Sequence, residues 1–106
     1  MRNTLKHGQI RTIIFKEGVN WYGVALELNI VESGNDPREV MLSLDEAIHG
    51  YIETAAKVNA SAKVLNQTAD PEYEKLWALA QNNKPIKSPT KIYSFGAFSL
   101  PSLRLA

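Results

Sequence analysis

The sequence predicts an α+β fold: an antiparallel sheet of three to four strands packed on one long amphipathic helix, with a second short helix, in the order β-β-β-α-α-β. Three observations lead there. Runs of β-branched and aromatic residues stand near both ends of the chain, some of them alternating at period two. A helix start of Asp36, Pro37 and Glu39 opens a long apolar stripe in the middle. Asp70-Pro71-Glu72 then repeats the same start signal before a shorter stripe. At 106 residues the chain is the size of one domain, read here as 1–106 with 1–8 flexible and 82–90 a proline-containing loop.

Ile10 to Lys16 reads as the first strand, because Thr12, Ile13, Ile14 and Phe15 favour extended backbone. Glu17-Gly18-Val19-Asn20 reads as a turn, with Gly18 free to take positive φ. Trp21 to Leu28 reads as the second strand, with Tyr22, Val24, Leu26 and Leu28 on one face. So short a connection makes the pair antiparallel, since a parallel crossover needs about a dozen residues. Ile30 to Ser33 is a short third strand, ended by Gly34-Asn35.

The long helix is placed at about 37 to 58, by the stripe Val40, Leu44, Ala47, Ile48, Tyr51, Ile52, Ala55 and Val58. Asp36 is its N-cap, and Glu39 stands where it can reach back in a capping box. Residues 59 to 69 carry no clean period. The second helix spans Glu72 to Gln81 and turns Leu76, Leu79 and one face of Trp77 inward. Lys91 to Leu100 is the last strand, ended by Pro101.

Composition removes several function classes. With no cysteine, the chain forms no disulfide, zinc-thiolate site or cysteine nucleophile. A formal net charge of +1 provides no global attraction to nucleic acid or membrane. Residues 1–8 have no apolar core of a signal peptide, and no apolar run reaches the ~20 residues of a membrane span. A cytoplasmic location is therefore expected. On that reading Asn59-Ala60-Ser61 and Asn66-Gln67-Thr68 match the glycosylation pattern by chance.

Catalytic patterns are missing as well. The phosphate-loop, dinucleotide, nucleophile-elbow and zincin motifs do not occur. No acidic residue lies within 10–16, where a carboxylate-metal nuclease would need one. Asp45, His49 and Glu53, spaced i, i+4 and i+8, line one helix face and pose a metal-assisted hydrolysis reading. Without ligands from another element the ridge reads as a solvated face, so no metal, cofactor or catalytic residue is assigned. Lys84, Lys87 and Lys91 beside Tyr93, Phe95 and Phe98 pose a stacking surface for single-stranded nucleic acid, set against aromatics held in a core or interface.

Both faces of the first strand pair look apolar. Val24 and Leu26 point one way; Ile13, Phe15, Trp21 and Ala25 are read as pointing the other. One helix covers one face, so the second needs the C-terminal segment, a second copy or a partner. Ile13, Phe15, Trp21, Ala25, Tyr93, Phe95 and Phe98 are therefore the candidate partner or oligomer interface, and a homodimer or higher oligomer is expected.

The order of elements resembles the HicB-like antitoxin family. The likeness is carried by Trp21-Tyr22-Gly23-Val24-Ala25 in the second strand and by Ser33-Gly34 closing the third. Asp36-Pro37-Arg38-Glu39-Val40 is similar to the family's Thr-Pro-Glu-Glu-Ala helix start, continued by Leu44, Ala47, Ile48 and Tyr51. Ile92 to Leu103 is similar to its last strand and terminus. The family's Asp-Leu-Pro-Gly-Cys segment is replaced by Glu27-Leu28-Asn29-Ile30-Val31, and residues 59–82 form a helical insert. The resemblance implies a partial RNase H-like fold without nuclease residues. It also implies a protein-binding function, the neutralisation of a small basic ribonuclease toxin by direct contact. The DNA-binding domain that many such antitoxins append is expected to be absent, since only Ser102 to Ala106 follow the last strand. The alternative is a stand-alone oligomeric interaction or ligand-binding domain with no toxin partner.

Overall fold

The computed structural model describes residues 2–86 and 90–100. The strands are β1 (Gly8–Glu17), β2 (Asn20–Ala25), β3 (Ile30–Gly34) and β4 (Lys91–Leu100). The helices are α1 (Pro37–Lys57) and α2 (Pro71–Gln81). The strands form one antiparallel sheet in the order β3-β2-β1-β4, so β3 and β4 are its edges. This is the α+β arrangement the sequence predicts.

The β1–β2 hairpin is tighter than the four-residue turn expected. Glu17 pairs with Asn20, leaving Gly18 and Val19 as a two-residue loop. Gly18 sits at φ 68°, the positive value a type II′ hairpin requires at its first loop position. That loop length sets the register: Ile13 stands opposite Val24 and Phe15 opposite Tyr22. Residues directly opposite share a face. Ile13 and Phe15 therefore lie with Val24 and Leu26, while Trp21 and Ala25 lie on the other face with Ile10 and Ile14. The expected grouping of Ile13 and Phe15 with Trp21 and Ala25 is corrected by this register.

The second strand is also shorter than expected. It stops at Ala25, and Leu26–Leu28 form a 3₁₀ turn ended by Asn29 in the left-handed conformation at φ 53°. Asparagine tolerates that conformation better than most residues. The turn swings Leu26 into one core and Leu28 into the other, where a continued strand would have kept them together. β4 carries an extra residue: Phe15 pairs with Ile92 and Ile14 with Ser94, leaving Tyr93 as a bulge.

Helix α1 covers the face of Ile10, Ile14 and Ala25 with Val40, Leu44, Ile48 and Ile52. Close approach is permitted by Gly23, where a Cβ would stand 2.9 Å from both Ile14 Cδ1 and Val40 Cγ1. The helix ends one residue before Val58, which is exposed and not part of the stripe expected to include it. Asp36 caps it by accepting from Arg38 N–H at 2.8 Å, with Pro37 at the first helical position. This is a simple N-cap bond to the second helical residue; among the described residues neither bond of the expected capping box between Asp36 and Glu39 forms. Asp36→Ala should cost about 1 kcal/mol in urea unfolding, and a neutral result would mean that the amide finds water at no cost.

The second face of the sheet, which raised the question of a cover, is occupied from within the chain. Ile13, Phe15, Val24 and Leu26 form a core with Ala69, flanked by Tyr73, Leu76, Trp77 and Ile92. Helix α2 is thus the second layer, although each of its own residues keeps some exposure. Its N-cap Asp70 accepts from Glu72 N–H at 2.9 Å, as Asp36 does in α1. Residues 59–69, which lack a helical period, hold a 3₁₀ turn at Ala62–Leu65 that delivers Leu65 to the α1-side core.

The segment read as flexible is anchored at Asn3, which is 5% exposed. Its side chain accepts from Gln9 N–H at 2.8 Å and donates to Leu65 carbonyl at 2.9 Å. Its backbone N–H donates to Asn66 Oδ1 at 2.6 Å, and its carbonyl accepts from Asn66 Nδ2 at 2.9 Å. Such a matched set keeps a buried amide from paying for desolvation unmet.

Candidate protein-interaction surface

The β4 edge carries the exposed aromatics. Strand alternation and the hairpin register determine which of its backbone groups are free. In a two-residue hairpin the closing pair Glu17–Asn20 is hydrogen-bonded, and hydrogen-bonded pairs then recur every second residue. Ile13 and Phe15 therefore bond toward β2, and Thr12 and Ile14 toward β4. Their partners Gly96 and Ser94 bond inward, while Phe95, Ala97 and Ser99 turn their N–H and C=O groups away from the sheet. Across ten residues, this is a long edge of the kind that templates pairing with another chain.

The seven candidate interface residues do not form one patch. Ile13, Phe15 and Ala25 are at most 3% exposed and belong to the two cores, so they are not available to a partner. Trp21 is half-buried beside the α1-side core, its ring 5.8 Å from that of Tyr93 in an edge-to-face contact. Phe98 is half-buried and meets the His49 ring at 5.1 Å. Phe95, on the opposite face, meets Trp77 at 6.2 Å. Tyr93 and Phe95 remain 44% and 45% exposed, one on each side of the same edge strand. The bulge at Tyr93 is what places it and Phe95 on opposite sides, where strict alternation would have kept them on one face.

A polar clamp, absent from the sequence reading, joins α2 to the sheet. Arg11 bonds Glu27 through its side chain and grips Glu74 with both terminal nitrogens, at 2.6 and 2.8 Å. Its backbone N–H donates to Glu27 at 2.7 Å, and its guanidinium lies 5.4 Å from the centre of the Trp77 ring. The hydrogen bond to Glu74 is the main reason the Arg11 guanidinium holds its proton more tightly than usual. The bond from Arg11 likewise holds the Glu74 carboxyl below its ordinary value of 4.5. A carboxyl lowered in the folded state contributes stability that is present above its unfolded pKa and lost as pH falls through the folded one. Glu74 is 43% exposed, so water screens the pair and the contribution is modest. Glu74→Gln should lower the melting temperature slightly at pH 7 and flatten its decline below pH 4.5. A decline identical to that of the wild type would show that other carboxylates govern acid unfolding.

The helical ridge faces solvent at Asp45 and Glu53, while His49 is half-buried against Phe98. His49 Nδ1 lies 3.8 Å from Asp45, and Glu53 pairs with Lys57 at 3.2 Å rather than with His49. Among the described residues no group of three or more His, Asp or Glu side chains converges as metal ligands would. Of the lysines read as a nucleic-acid surface, Lys84 and Lys91 are exposed, and Lys91 opens β4. Lys87 lies outside the described residues, as do the terminal residues 101–106 that carry the end of the family resemblance. No helix among the described residues is long and apolar enough to cross a membrane. No protein-family profile, curated protein or solved structure matches this chain.

Proposed function

We propose that this chain is a non-catalytic protein-binding module that self-associates through the free edge of β4 and neutralises a small basic ribonuclease toxin by direct binding. The observation that carries the binding role is the β4 edge, with outward-facing backbone groups at Phe95, Ala97 and Ser99 and exposed rings at Tyr93 and Phe95. Edge strands of this length are normally blunted or covered, and β-strand addition is a recurring way to bind protein. The toxin as partner rests on the resemblance of the hairpin, helix start and last strand to HicB-like antitoxins. The argument for a dimer changes with the fold: α2 covers the face that seemed to need a second copy, so self-association rests on the edge. An isologous antiparallel β4–β4 pairing closes that edge on both subunits at once.

Two measurements test the reading. Light scattering over a tenfold concentration range should give a dimer mass, and Ala97→Pro should give a monomer by removing an outward N–H without touching a ladder bond. A monomer throughout would overturn the edge pairing. The product of a short reading frame beside the gene should cleave RNA alone and lose that activity at equimolar ratio with this protein. If no adjacent product binds or is inhibited, the toxin reading falls and a stand-alone oligomeric interaction domain takes its place.

A further inference from the structure

Helix α1 does not cover its face of the sheet evenly. It lies over β1, β2 and β3 and barely reaches β4, where His49 meets Phe98. Lys16 follows Ile14 at period two and pairs with Trp21 on one side and Lys91 on the other, so all three share the α1 face. The bulge turns Tyr93 to the same face, where its ring meets Trp21 edge-on at 5.8 Å. Lys16 Nζ stands 5.7 Å from the centre of the Trp21 ring. Tyr93 is 44% exposed, and Lys91 is exposed beside it. Further along β4 the floor stays open at Gly96, where a Cβ would meet no atom within 4 Å.

Charge at this end of the sheet separates by face. Lys16 and Lys91 stand directly opposite each other, which costs stability for like charges. Among the described residues neither forms a salt bridge. Glu17, the next residue along β1, turns to the α2 side beside Glu72 and Tyr73. Arg38 lies one heptad before Asp45 and within ~20° of it about the α1 axis, and Asp45 borders β4. Arg38 therefore stands on the β4 side of α1, toward the end where Gly34 pairs with Trp21. Of the acids on this part of α1, Asp36 is engaged at the cap and Asp45 lies 3.8 Å from His49.

We propose that this corner binds single-stranded nucleic acid. Neighbouring phosphates rest on Lys91 and Lys16, and a base stacks on the outer face of Tyr93, whose ring Trp21 buttresses. Every base offers a π-face to a ring, so the site tolerates any sequence. A ring beside cations that lack carboxylate partners suits a strand of nucleotides. A bare polyanion needs no ring, and an apolar peptide needs no cation. The open strip over Ser94 and Gly96 leads the strand on toward Phe98. The contacts are made by side chains on the sheet face, and the outward backbone groups of Phe95, Ala97 and Ser99 take no part in them. The site calls on no protein partner.

Fluorescence anisotropy with end-labelled octamers of oligo-dT and oligo-U tests it. At about 50 mM salt at least one of them should bind with a Kd of about 1–100 µM, the tighter of the two showing whether the strand is DNA or RNA. Raising the salt to about 200 mM should weaken binding about sevenfold, as counterion release from two phosphates requires. Lys91→Gln should weaken binding and roughly halve that salt dependence, with its melting temperature kept or raised. Tyr93→Ala should weaken binding at least about fivefold with its melting temperature kept, while Tyr93→Phe stays within about twofold of the wild type, since the ring stacks and the hydroxyl does not. Lys75→Gln, on the exposed side of α2, should bind as the wild type does. In a nitrogen-15 NMR titration the octamer should shift the amides of Lys16, Trp21 and Lys91–Ser94. Failure of both octamers to bind, undiminished binding by Tyr93→Ala with polyphosphate competing as well as the octamers do, or amide shifts that miss these residues would each overturn the proposal.

Discussion

Leu44→Ala should lower the free energy of unfolding by about 2–5 kcal/mol, the largest effect expected of a single truncation here. Leu44 is 3% exposed and sits where α1 crosses β2, between Val40 and Ile48 on the buried stripe. Truncation removes the transfer energy of its lost carbons and leaves a void that neighbours fill only in part. The floor opposite is Gly23, which has no side chain to expand into the space. Urea unfolding followed by circular dichroism measures the change. An unaltered midpoint would mean that this stretch of α1 does not press on the sheet.

Gly23→Val should destabilise by about 1–3 kcal/mol through the opposite fault, too much volume. A Cβ at Gly23 already stands 2.9 Å from Ile14 Cδ1 and from Val40 Cγ1, and 3.3 Å from Leu44 Cδ2. The Ile14 methyl is the end of a flexible chain and can rotate away, but valine 40 has no such freedom at its branched carbon. The helix must then lift from the sheet. The two substitutions are coupled because they meet in one space. Leu44→Ala with Gly23→Val should cost less than the sum of the separate losses. A double variant that loses the full sum would show that the helix moves as a rigid body and that the vacated volume is not shared.

The shape of the interaction surface follows from similar close accounting. Both sheet edges are free among the described residues, and they differ in chemistry. β4 is long, aromatic and exposed at alternate positions. β3 is five residues long and borders an apolar groove. The length of β4 and the exposed rings of Tyr93 and Phe95 are the reason to propose it as the self-association edge. Arg11, holding Glu27 and Glu74 together, stands away from both edges and secures α2 over the second face.

Much of the fold was legible locally. Aspartate followed by proline marked the start of both helices within a residue of Pro37 and Pro71, because an N-cap acceptor and a residue lacking an N–H act on their immediate neighbours. The bounds of β4 matched for a similar reason: a run of extended-favouring residues is closed by Pro101. Which face each strand residue took was decided by the centre of the hairpin and by two irregularities, the Leu26–Leu28 turn and the β4 bulge at Tyr93. A loop closing on Lys16 and Trp21 or on Glu17 and Asn20 sets Ile13 opposite Val24 alike, so cross-strand pairing already places Ile13 and Phe15 with Val24 under α2, and the Leu26–Leu28 turn parted two leucines that period two would have kept together.

The sequence by itself determined the elements, their order and the α+β class, since propensity, capping and hydrophobic period act over a few residues. It also carried the resemblance on which the toxin partner rests. Only the tertiary structure decided what covers the second face, which aromatics reach solvent, and that Arg11, Glu27 and Glu74 meet. Those outcomes depend on contacts between residues as far apart as 11 and 74, and no local preference records such a pairing. Chain connectivity and strand register select it once α2 closes over the sheet.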